Sequence, residues 1–287
     1  MARRTFNDEA VSRLAAWSYR LALFALVVAA LAVIVVRSGA LEIVPALATF
    51  GGALVFAGLA VLLALGSFIV IWRDGLAGFG RAIAGMMLGL LLLAYPAYLG
   101  YKALHLPALA DISTDPDNPP RFEALAAVRP PPSGNLAAAA ELQRNAYPEV
   151  VPLQLSVQPR VAYDVSLAVI AKHKWPVVNA RPLAPGRRDA VIETTVQSLI
   201  MGFRDDLIIR VTAAGQGARV DLRSASRFGR HDLGVNAARL RGLMEEIEAA
   251  ADAAPEPRPE PEKPDKKGAP KRPAAKKQPE KQPDKKR

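Results

Sequence analysis

The sequence predicts a membrane-anchored α+β protein: three N-terminal transmembrane helices, then a helix–four-strand antiparallel sheet–helix two-layer domain, then a disordered tail. Three observations predict it. Residues 1–104 hold three long apolar runs. Residues 157–251 carry two helical stripes flanking strands of alternating polarity. From residue 252 the chain turns to proline and charge.

The first apolar run, residues 21–36, has no charge and is flanked by Arg20 and Arg37. With Trp17, Tyr19 and a snorkelling Arg20 it covers about 20 residues, enough for about 30 Å of hydrocarbon. Residues 43–72 contain no charged side chain, and residues 82–101 form a third such run closed by Tyr95, Tyr98, Tyr101 and Lys102. The expected spans are 19–37, 48–72 and 82–102. Buried helices of a water-soluble protein would be shorter and keep a polar face. Gly85 and Gly89 make a small-xxx-small pair that permits close helix approach. Cleavage of the first run as a signal peptide, at Ser38, Gly39 and Ala40, is the competing reading. Arg37 directly after the apolar stretch and the length of that stretch argue against it.

Orientation follows from Lys and Arg beside the spans. With the N-terminus inside, Arg3, Arg4, Arg13, Arg20, Arg73 and Arg81 lie in the cytoplasm, against Arg37, Lys102 and Arg121 outside. Three spans then place the C-terminal domain in the periplasm of a bacterial inner membrane.

Residues 105–156 read as a Pro-rich linker or extension. Residues 111–120 and 128–135 are dense in Pro, Asp, Asn and Gly, which set turns. Residues 122–128 and 136–144 are short-helix candidates. Asp111, Asp115 and Asp117 suggest a calcium loop, but its glycine and distal glutamate are missing, which favours turn chemistry.

The domain proper spans residues 157–251. Val161, Val165 and Val169 mark a helix ending near Trp175 and Pro176. Strands are expected at 177–181 and 190–196, with Pro185 and Gly186 between them. Leu207, Ile209 and Val211 alternate with Ile208, Arg210 and Thr212; after a turn at residues 215–217, Val220 and Leu222 alternate with Arg219, Asp221 and Arg223. A last helix begins near Asp232 and carries Leu233, Ala237, Leu240, Met244 and Ile247 on one face. Short links between strands imply an antiparallel sheet with two helices on one side.

The stretch S-A-S-R-F-G-R-H-D-L-G-V-N-A-A-R, residues 224–239, resembles the signature of the domain-of-unknown-function family 1499. So do E-T-T at 193–195, G-F-R-D-D at 202–206, I-R-V at 209–211 and D-P-D-N-P-P-R-F at 115–122. The resemblance covers roughly residues 111–251. It implies a membrane-tethered or exported bacterial protein with plastid relatives, and it implies no activity.

Ser224, Ser226, Arg227, His231, Asp232, Asn236 and Arg239 are the densest polar cluster and the candidate ligand-binding site. In its sharpest form Ser226 is a nucleophile, His231 a base, and Arg227 with Arg239 an anion clamp. The plainer form has Gly229 making a turn, Asp232 capping the last helix and the serines occupying a strand. No hydrolase, zinc-protease or phosphate-loop motif is present, so no catalytic residue is assigned. Leu199, Ile200, Met201 and Phe203 form an apolar loop between two strands, either covering the open end of the core, which is favoured, or contacting a partner or membrane.

Zero cysteines and three scattered histidines give no expectation of a metal or cofactor. The net charge of +10 resolves by region: eight Lys/Arg against four Asp/Glu in residues 1–110, 17 against 16 in 111–251, and 12 against seven in 252–287. The folded domain is thus nearly neutral, and nucleic acid is not an expected partner. The tail, with nine prolines in 36 residues, is expected to stay disordered and to act as a spacer or adhere to anionic envelope components. A non-enzymatic binding or scaffold protein is therefore expected, the alternative being an envelope enzyme or anionic-ligand binder using residues 224–239.

Overall fold

The computed structural model describes residues 10–129 and 135–254. The tail expectation falls on residues 252–287 and lies almost wholly outside the described residues.

Three apolar helices open the chain: α1 (Arg13–Arg37), α2 (Ile43–Asp74) and α3 (Phe79–His105). All three are long and apolar enough to cross a membrane, and each extends a few residues beyond its expected span. Their large side chains face outward, with Ile69, Leu91 and Val55 about 70% exposed, while alanines and glycines line the contacts. That inversion is expected where lipid, not water, solvates the outside. The Gly85–Gly89 pair works at both ends: a methyl group on Gly85 would lie 2.8 Å from the Ser18 backbone, and one on Gly89 would lie 2.9 Å from the Ala57 carbonyl. Ser18 also donates its hydroxyl to the Ala60 carbonyl at 2.8 Å, tying α1 to α2. Gly85→Val is expected to destabilise the bundle by about 1–3 kcal/mol through overpacking. Gly51→Ala, which meets open space, is the control; a thermal melt of the detergent-solubilised chain separates them.

The rest of the described chain is an α+β domain. β1 (Asp111–Ser113) is followed by a single 3-10 turn (Ala126–Val128), α4 (Leu136–Ala146), β2 (Leu153–Leu155), α5 (Pro159–Lys172), β3 (Val177–Arg181), β4 (Asp189–Gln197), β5 (Arg204–Ala214), β6 (Gly217–Ser226) and α6 (Val235–Asp252). The sheet runs β1-β6-β5-β4-β3, all antiparallel, with β2 also pairing with β6. The four expected strands and both flanking helices are present. A two-residue turn at Gly215 and Gln216 closes the β5–β6 hairpin, with Gly215 at φ +58°, a left-handed conformation suited to glycine.

The segment expected as a linker is corrected here. Residues 111–113 and 153–155 lie end to end along the edge of β6, making six strands in place of four. A Pro-rich composition hid them because each is only three residues long, too short for alternation to show. Two three-residue strands thus replace one ten-residue edge with a short, interrupted one, which invites association less.

α5 and α6 cover one face, where Ile192, Leu207, Ile209, Leu222, Leu240 and Ile247 are fully buried. On the opposite face, residues 114–129 run across the sheet as a strap. Arg210 donates to the Asn118 carbonyl at 3.0 Å and Arg223 to the Pro120 carbonyl at 2.8 Å. Leu125, Val191 and Ile208 are buried between strap and sheet.

Candidate functional site

Strand alternation decides the fate of the cluster at residues 224–239. Along β6, Val220, Leu222 and Ser224 point to the helix-covered face, so Arg219, Asp221 and Arg223 point to the strap-covered face. The candidate residues are thereby divided between two networks on opposite sides of one sheet.

On the helix face, Asn236 in the first turn of α6 is the hub. Its Nδ2 donates to Ser226 Oγ at 3.1 Å and to the Ala110 carbonyl at 3.2 Å. Its Oδ1 accepts from Ser224 Oγ at 2.7 Å and from Arg239 Nη1 at 2.6 Å. Arg239 also reaches Ser224 Oγ at 2.7 Å and pairs with Asp205 at 2.8 Å. Ser224 and Asn236 are fully buried. Ser224, Ser226, Asn236 and Arg239 therefore come together, and they satisfy one another.

Asp232 and His231 shape the turn before α6. Leu233 and Gly234 both adopt left-handed φ values, +57° and +77°. Asp232 Oδ1 accepts the Gly234 N–H at 2.9 Å, and Oδ2 accepts the Asn236 N–H at 2.8 Å. His231 Nδ1 accepts the Leu233 N–H at 3.0 Å. An αL residue other than glycine costs about 1 kcal/mol, and these local bonds hold it in place. Burial pushes the Asp232 carboxyl above the usual range, opposed by its two N–H partners. His231 Nε2 and the Tyr147 hydroxyl are buried without a hydrogen-bond partner among the described residues. Burial, then the Asp232 charge, raises the Tyr147 phenol.

The N-cap position of α6 is Gly234, two residues after Asp232, so Asp232→Ala is expected to cost about 1–2 kcal/mol by leaving the Gly234 and Asn236 N–H groups without their acceptor. The pH dependence has a defined sign. A carboxyl with a raised folded pKa binds extra protons in the folded state, so its contribution is lost as pH rises through the carboxylate range. The margin of wild type over Asp232→Asn in urea denaturation should therefore narrow with rising pH.

On the strap face, Asp206 is the centre and is fully buried. Arg227 holds it through Nε at 2.9 Å and Nη2 at 2.7 Å, Arg129 from the strap donates at 2.9 Å, and Thr195 Oγ1 donates at 3.1 Å. Arg129 also donates to the Ala225 carbonyl at 3.1 Å. Beside it, the Phe122 ring lies under the Arg129 and Arg223 guanidiniums at 4.3 and 5.1 Å. Further along, Asp115 and Asp221 are shared between Arg210 and Arg219. Glu193, also fully buried, accepts the N–H groups of Glu123, Ala124 and Leu125 at 3.0–3.1 Å and the Asn179 amide at 3.0 Å. One glutamate thus caps the strap where it begins to coil.

These positions limit the available chemistry. Arg227 and Arg239, the expected anion clamp, lie on opposite faces and are each bound to an aspartate. Ser226 Oγ accepts from Asn236, while the His231 lone pair at Nδ1 is taken by backbone. The three acids of the calcium-loop idea are committed to separate arginines: Asp111 to Arg223, Asp115 to Arg219 and Asp117 to Arg144. No group of three or more metal-ligating side chains forms among the described residues. Arg129, Glu193, Asp205 and Asp206 were missed as site residues, although E-T-T and R-D-D were visible as motifs. Nothing local in a sequence tells which arginine a carboxylate will meet 77 residues away, as Asp206 meets Arg129.

A cleft of about 550 Å³ lies between α4, the start of the strap and β1, lined by Asp111, Asp117, Arg121, Leu136, Gln143 and Arg223. Gln143 closes its floor by exchanging hydrogen bonds with the Ser113 backbone at 3.1 and 2.6 Å.

The apolar loop corrects a second expectation. It does not close the open end of the core. Met201 is buried against Val36 and Ala46, with Ile200 and Phe203 packed beside them, so the loop sits on the ends of α1 and α2. Arg37 donates to the carbonyls of Ser198, at 3.1 Å, and Leu199. Leu199 itself is 88% exposed.

No curated protein matches the chain. Residues 111–247 match the sequence model of a family described as "Protein of unknown function (DUF1499)". The match begins at Asp111, where β1 joins the sheet, and ends within α6. The motifs carrying the resemblance fall on the strap, on β4 to β6 and the loop before β5, and on the turn into α6 with its first residues. The chain carries, over residues 111–247 and behind three apolar helices, a domain of the DUF1499 family.

Proposed function

We propose that this is a non-enzymatic binding or scaffold protein of a bacterial inner membrane, presenting its DUF1499 domain to the periplasm. The observation that carries the reading is the fate of the signature residues. Arg227, Arg239, Asp206, Asp205 and Glu193 are all engaged by partners within the domain. A motif so used maintains a shape, with its strap and its turn, more readily than it performs a reaction. The orientation rests on six Lys/Arg against three beside the spans. The excess of 12 Lys/Arg over seven Asp/Glu in residues 252–287 suits adhesion to anionic envelope components.

Reporter fusions after Lys102 and after Arg287 test this reading. A reporter active only in the periplasm is expected to work at both positions. Activity at neither, with a cytoplasmic reporter active instead, overturns the orientation and with it the envelope assignment.

A further inference from the structure

The loop between β4 and β5 leaves an apolar residue where a soluble domain would hide one. Its base is fixed to the helical bundle. Met201 packs against Val36 and Ala46, and Arg37 holds the Ser198 and Leu199 carbonyls. Arg37 is the last residue of α1, the position at which a spanning helix leaves the hydrocarbon. The tip, Leu199, is 88% exposed at that level. Beside it Phe203 stacks on Phe228 at 5.5 Å, and Phe228 is 42% exposed. Two exposed arginines flank the patch, Arg204 next to Phe203 and Arg230 two residues beyond Phe228, and neither has an ion-pair partner among the described residues. Apolar tips ringed by arginine, continuous with the lipid-facing surface of a helix bundle, match the boundary between acyl chains and headgroup phosphates.

We propose that Leu199 and Phe228 insert into the lipid interface around the α1–α2 turn, with Arg204 and Arg230 on headgroup phosphates, so that the domain is seated on the bilayer. The occupant of this surface is the membrane that holds the spans. The proposal rests on the reading that α1–α3 lie in a bilayer, and it holds for either orientation. Seating the domain at a second point would fix which way the strap-covered face and the cleft beside α4 are turned, as a scaffold requires.

The chain has no cysteine, so single cysteines can be labelled without background. Full-length Leu199→Cys, Phe228→Cys, Gln216→Cys and Leu91→Cys, each carrying an environment-sensitive fluorophore, are reconstituted into phosphatidylcholine–phosphatidylglycerol vesicles. Gln216 sits at the far end of the 11-residue β5, about 35 Å along the strand from the loop. Leu91 faces outward from α3. Lipid-borne nitroxides at shallow acyl positions are expected to quench the labels at 199 and 228 several-fold more than the label at 216, while aqueous iodide shows the reverse order. A label at 199 open to iodide and unquenched by lipid, with the label at 91 quenched, overturns the seating and leaves the membrane reading intact. An unquenched label at 91 overturns both.

Discussion

Asp206→Ala should be the most damaging single substitution in the domain, with an expected loss of about 3–5 kcal/mol. The side chain is fully buried and holds two guanidiniums and the Thr195 hydroxyl. Arg129 and Arg227 are only 12% and 20% exposed at their side chains. Removing the carboxylate leaves two cations close together with no counter-charge, and that penalty, more than the lost hydrogen bonds, sets the size of the effect. Asp206→Asn keeps the shape and removes the charge, and should lose nearly as much. Arg129→Ala alone should be milder, because Arg227 still neutralises Asp206 with two bonds. A double-mutant cycle on Asp206 and Arg129, read by urea denaturation of the detergent-solubilised chain, measures the coupling. If Asp206→Ala and Asp206→Asn both stay within about 1 kcal/mol of wild type, the charge cluster is not what holds the strap.

Glu193→Ala is the second large effect, and it has a local signature. Four donors converge on this carboxylate, three of them backbone N–H groups of residues 123–125. Alanine leaves those donors without a partner under a closed strap, at about 1–3 kcal/mol for each group that water cannot reach. The strap should respond by opening, so the amides of Glu123, Ala124 and Leu125 should exchange at rates approaching those of open chain. Protection in β5 and β6 should persist, since their ladders do not depend on Glu193. Glu193→Gln retains one acceptor oxygen but points an N–H₂ at backbone N–H groups, and should open the strap as well. Uniform loss of protection across the sheet would instead make Glu193 part of the global core.

Both effects arise where polar motifs are buried, and this bears on how the family signature is read. Ser224, Arg227, Asn236 and Arg239 look like a site when written in a line. Folded, they are two separate braces on opposite faces of β6, one clamping α6 through Asp205 and one clamping the strap through Asp206. The adjacent aspartates of R-D-D make the same division, because neighbours on a strand point to opposite sides. His231 Nε2 and the Tyr147 hydroxyl, buried without a hydrogen-bond partner among the described residues, lie outside both braces.

The sequence alone determined the elements with a long enough pattern. Spans of 25 to 32 residues announce themselves by hydropathy. β5 and β6, 11 and ten residues long, announce themselves by alternation, β4 by a turn signal before an apolar run, and α5 and α6 by their stripes. Local turn chemistry was legible too, as with Gly215 in the hairpin and Asp232 before α6. What only the tertiary structure decided was pairing over distance. β1 and β2 offer three residues each, below any period, and exist because β6 offers an edge. The strap became part of the domain because Glu193, Asp206 and Asp221 carry carboxylates on a face that no helix covers. The loop at Leu199 found the ends of α1 and α2, with Arg37 bonding the Ser198 carbonyl across 161 residues of chain. Periodicity reports which side chains share a face; the covering partner is chosen by the three-dimensional register of the sheet and the burial of charge.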